Sequence, residues 1–69
     1  MRYSTWLFKY FIAKVDGDKY AVVRKSWLWP IPVKYLNRYG QLDIFVTYFD
    51  SIEVAEIRLK KYLQNEGLF

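Results

Sequence analysis

A chain of 69 residues, 54% hydrophobic and 22% aromatic, is too apolar for disorder and too short for more than one core, which predicts a single small domain spanning residues 1–69. With no cysteine and no histidine, it lacks the means for disulfides, for thiolate or imidazole metal sites and for the usual activation of a nucleophile, so no metal, no cofactor and no enzymatic role are expected. Net charge is +4, with eight basic residues against Asp16 and Asp18 in residues 1–39 and three basic against five acidic in residues 40–69.

Residues 3–15 are dominated by β-branched and aromatic side chains and predict one long strand. Its faces carry Trp6, Phe8, Tyr10 and Ile12 on one side and Leu7, Lys9, Phe11, Ala13 and Val15 on the other. Asp16 and Gly17 supply the residue types of a tight reversal, and Lys19–Ser26 resumes an extended pattern, giving a β-hairpin. Cross-strand charge favours a loop of Val15, Asp16 and Gly17 that sets Lys14 opposite Asp18, over a two-residue turn that sets it opposite Lys19.

Pro30 and Pro32 donate no backbone hydrogen bond, so the second strand ends near Trp29. Pro32 suits the first position of a short helix over residues 33–39, with Val33, Leu36 and Tyr39 in phase and Gly40 behind as cap. Residues 42–49, rich in Ile, Val, Thr and aromatics, predict a third strand in a well-covered position. The last segment predicts a helix over residues 51–66. Asp50 is its expected N-cap, Glu53 returns the bond, Phe49 staples onto Val54, and Gly67 terminates it. Ile52, Ala55, Leu59, Tyr62 and Leu63 form its buried stripe, with Ile57 on the far side.

The fold class expected from these elements is α+β, a three-stranded antiparallel sheet with a C-terminal helix on one face, in the order ββ(short α)βα. That order resembles in outline the small arm-binding DNA domains of some phage integrases, a resemblance that implies DNA binding; the segment of residues 27–32 departs from it. The longest run without a charged residue covers residues 26–33 and contains both prolines, against the roughly 20 apolar residues that a membrane span needs, so no membrane partner and a cytoplasmic location are expected.

Asp16-Gly17-Asp18 reads as a turn rather than a calcium loop, since the later ligands of such a loop are missing. Trp27 and Trp29 point the same way in an extended segment beside Arg24 and Lys25, the residue types of a protein hot spot or a base-stacking platform. With Tyr10 and Lys34 they make up the expected partner-binding set: Trp27, Trp29, Arg24, Lys25, Tyr10 and Lys34. Lys9, Lys14 and Lys19 with Tyr10 and Tyr20 form a basic, aromatic hairpin suited either to a phosphate backbone or to guarding a sheet edge.

The leading expectation is a protein-binding chain of regulatory or inhibitory type, in keeping with a phage or mobile element. It engages a protein partner, or a second copy as a homodimer, through aromatic side chains on the helix-free sheet face and the segment of residues 27–32. The alternative is DNA or RNA binding through the basic first half.

Overall fold

The computed structural model describes residues 2–28 and 30–68. Among them five strands, β1 (Arg2–Ser4), β2 (Phe8–Val15), β3 (Lys19–Ser26), β4 (Lys34–Leu36) and β5 (Leu42–Asp43), form an antiparallel sheet in sequential order. A C-terminal helix, α1 (Ile52–Asn65), packs across one face of it. The α+β class and the terminal helix are as expected; the strand count is five, not three, and with it the outline resemblance to the integrase arm-binding domains lapses.

The expected long strand over residues 3–15 breaks at residues 5–7. The Thr5 amide donates to the Phe8 carbonyl at 2.8 Å, and its hydroxyl accepts from the Leu7 and Phe8 amides at 3.4 and 3.0 Å. A Thr side chain that competes for backbone donors in this way closes a turn. β1 therefore folds back on β2, pairing Arg2 with Phe11, Tyr3 with Tyr10 and Ser4 with Lys9.

In the β2–β3 hairpin Val15 faces Lys19 and Lys14 faces Tyr20, so neither charge pairing considered for Lys14 is realised. The loop is Asp16, Gly17 and Asp18, centred on Gly17 at φ +69°. The left-handed position fixes the register, because an exposed charge pair at a strand end contributes too little to override it.

The short helix expected at residues 33–39 is instead strand β4. The outer edge of β3 presents backbone groups that need partners, and β4 supplies them, pairing Tyr35 with Val23 and Lys34 with Arg24. Asn37 then closes a turn: its Oδ1 accepts from the Tyr39 and Gln41 amides at 2.9 and 3.0 Å, with Gly40 at φ +81°.

Only Leu42–Asp43 of the third strand expected over residues 42–49 is strand. β4 is three residues long, so β5 runs out of partner and residues 44–48 leave the ladder. Phe49 rejoins beyond β4, exchanging hydrogen bonds of 2.8 and 2.7 Å with Tyr20.

The helix begins one residue later than expected. Ser51 is the N-cap, its hydroxyl accepting from the Val54 amide at 3.2 Å. Asp50 instead pairs with Lys19, whose hydrogen bond and charge hold the Asp50 carboxyl below its usual range. At the other end Gly67 is left-handed at φ +72°, its amide bonding Gln64 and that of Leu68 bonding Leu63, a Schellman termination.

Ala55, Leu59 and Leu63 are fully buried and Tyr62 is half-buried, while Ile52, expected in the buried stripe, is exposed in the first turn and Ile57 faces solvent. Opposite the helix stand Tyr10, Val22 and Leu36 with Phe49, flanked by Phe8, Ile12, Tyr20 and Leu42. Burial pushes the phenols of Tyr10 and Tyr62 upward, their rings lying 6.1 Å apart. The Tyr3 hydroxyl donates to the Leu68 carbonyl, tying β1 to the end of α1.

Candidate functional site

Strand alternation sorts the expected partner-binding residues onto two faces. Tyr10, Arg24 and Lys34 occupy one cross-strand row through β2, β3 and β4. Because Tyr10 is a core residue in ring contact with Tyr62 of α1, this row lies on the helix side. Tyr10 is buried, and the Arg24 guanidinium carbon lies 4.1 Å from the Phe8 ring centroid with its Nε buried and unpaired. Lys34 is half-buried.

Lys25 belongs to the opposite, helix-free face, in register with Lys9. Trp27 joins that face at the end of β3. Its amide donates to the Leu7 carbonyl at 3.1 Å and its indole Nε1 to the Thr5 carbonyl at 3.1 Å, while 55% of its surface stays exposed. Trp29 lies outside the described residues. Lys25 and Trp27 are thus brought together, and Tyr10, Arg24 and Lys34 are separated from them. The hairpin lysines divide likewise, with Lys9 on the open face, Lys14 on the helix side and Lys19 tied to Asp50.

Residues that the sequence reading passed over complete this corner. Arg2 and Ser4 arrive on β1 because the turn at residues 5–7 folds that strand back, placing Arg2 opposite Phe11 and Ser4 opposite Lys9. The Lys9 ammonium stands 5.3 Å from the Phe11 ring centroid and 5.4 Å from that of Trp27, within cation–π range of both. Arg2, Ser4, Lys9, Tyr10, Phe11 and Trp27 line a depression of about 310 Å³, Tyr10 as a neighbour of Lys9 and Phe11 along β2. Among the described residues none of Arg2, Lys9 and Lys25 forms an ion pair.

A second surface lies on the turn after β4 and on the segment that leads from β5 back to β3. Tyr39 is 88% exposed, Phe45 72% and Ile44 62%, with Val46 and Tyr48 also exposed. Tyr39, Val46 and Tyr48 line a shallow hollow of about 340 Å³ with Asn37, Arg38 and Thr47. The expected covered strand concealed this patch; the unbroken run Ile44-Phe45-Val46, which offers no polar face to solvent, is the signal that marks it.

Among the described residues no group of three or more acidic side chains is placed to hold a metal ion, and no helix is long and apolar enough to cross a membrane. Comparison with protein-family models, curated proteins and solved structures finds no match to this chain.

Proposed function

We propose that this chain is a non-enzymatic binding protein that engages another protein through the apolar surface of Tyr39, Ile44, Phe45 and Tyr48. The observation that supports the reading is the exposure of Phe45 and Ile44, 72% and 62%, on a segment outside the sheet ladder. Large apolar side chains presented together lose contact with water only when a partner covers them, and contiguous patches of this kind mark association sites. Aromatic residues at the centre of such a patch are the side chains on which interface free energy concentrates. Covering a partner's surface in this way is the mode of a regulator or inhibitor.

The test compares wild type with Phe45→Glu, which introduces a charge at an exposed position and leaves the core intact. Both proteins are immobilised and offered host lysate after nuclease treatment, and both are run in sedimentation. Wild type retains a discrete protein partner, or sediments as an assembly of its own copies, and Phe45→Glu loses that association with an unchanged melting temperature. Equal retention by the two proteins would overturn the reading.

A further inference from the structure

The helix-free corner carries an arrangement that folding alone does not account for. Lys9 and Lys25 are directly opposed on neighbouring strands, a like-charge pair that destabilises a sheet. Arg2 follows on β1, diagonal to Lys9, so three cations cross three adjacent strands. The nearest acidic register position on this face is Asp43, which shares a row with Arg2 but stands at the far end of the sheet, beyond Phe11, Val23 and Tyr35. No counter-charge within the described residues neutralises the cluster. The rings of Phe11 and Trp27 stand among the cations, the second of them half exposed.

We propose that this corner, Arg2, Lys9, Lys25, Phe11 and Trp27, binds a single-stranded nucleic acid, with the cations on its phosphates and Trp27 under a base. The cations call for an anionic ligand, and rings interleaved with them call for one that also offers flat aromatic faces. An unpaired strand has both. A duplex hides its base faces in the stack, and an acidic peptide offers carboxylates without bases. Lys9 covers the rings in the free protein and swings on its flexible stem to a phosphate as a base takes its place. This surface shares no residue with the apolar patch of residues 39–48, so either assignment stands or falls without the other.

The test is fluorescence anisotropy with a labelled mixed-sequence oligonucleotide, single-stranded and as the matching duplex, with polyglutamate as anionic competitor. Wild type binds the single strand more tightly than the duplex, and polyglutamate displaces it poorly. Trp27→Ala weakens binding about tenfold, as expected for loss of one stacked base. Lys9→Gln/Lys25→Gln reduces the slope of log affinity against log salt by about 1.4, two phosphate contacts at about 0.7 each. Lys25→Gln alone, at an exposed position, gives about half that change and guards against misfolding of the double variant. Phe45→Glu binds as wild type does. Binding that is absent, that is equal for duplex and single strand, that polyglutamate abolishes, or that survives the lysine substitutions with its salt slope intact overturns the proposal.

Discussion

The Arg24 guanidinium lies over the Phe8 ring on the helix side of β3, while Lys25, the next residue, projects from the other face without an ion-pair partner among the described residues. Two adjacent cations therefore do different work. Arg24 covers apolar surface with its stem and holds a cation–π contact in a partly dry site, where its buried Nε finds no acceptor. Arg24→Ala is expected to cost about 1 to 2 kcal/mol, by loss of that contact and packing. Arg24→Met keeps the stem and discards the unsatisfied Nε, so it costs less. Lys25→Ala stays within about 0.5 kcal/mol of wild type. Urea unfolding of the three variants measures the order, and an Arg24→Ala variant as stable as Lys25→Ala would show that the guanidinium contributes nothing where it lies.

At the scale of elements, α1 is held by Ala55, Leu59 and Leu63, all fully buried, with Ile57 turned to solvent. Leu59→Ala is expected to cost about 2 to 5 kcal/mol, a cavity beneath the helix, and Ile57→Ala less than about 1 kcal/mol. Thermal or urea unfolding checks both, and a reversal of the two would mean that the far face of α1 is covered in solution. The helix is the element most legible in the sequence, because its spacing puts Ala55, Leu59 and Leu63 on one stripe and Gly67 supplies the left-handed stop. Alternation likewise separates Phe8, Tyr10 and Ile12 from Lys9, Phe11 and Ala13 correctly. It also sets Arg24 opposite to Lys25 and Trp27, but it does not reveal which set meets the helix, and Tyr10 is assigned to the Arg24 side only once the β2–β3 register is known. The remaining differences come from side chains that redirect backbone locally. Thr5 and Asn37 each accept two amide hydrogen bonds and make turns where propensity alone indicates strand and helix. The short strands β4 and β5 depend on an open edge of β3, a tertiary condition that no local pattern encodes.

For the molecule as a whole, the uneven charge along the chain becomes an uneven charge between layers. Residues 1–39, with a balance of +6, supply β1 to β4, whereas residues 40–69, with a balance of −2, supply β5, the apolar segment and α1. The basic corner lies toward the β1 edge, whereas the apolar segment leaves β5 and returns to the outer side of β3, where Phe49 pairs with Tyr20, so the two surfaces share no residue. Surfaces that share no residue respond to substitution independently. They also differ in their response to salt, since counterion release weakens phosphate contacts and screening leaves apolar burial untouched. Wild type, Phe45→Glu, Lys9→Gln/Lys25→Gln and the triple combination are compared for protein association and for oligonucleotide affinity at about 50 and 200 mM salt, a range over which phosphate contacts weaken steeply. Phe45→Glu loses association at both concentrations and keeps its oligonucleotide affinity; the lysine variant keeps association and loses most of the salt-sensitive affinity. The triple variant shows both losses, each no larger than in its parent. A Phe45→Glu protein whose oligonucleotide binding also fails, while its melting temperature is unchanged, would mean that the apolar segment and the basic corner serve one continuous interface rather than two.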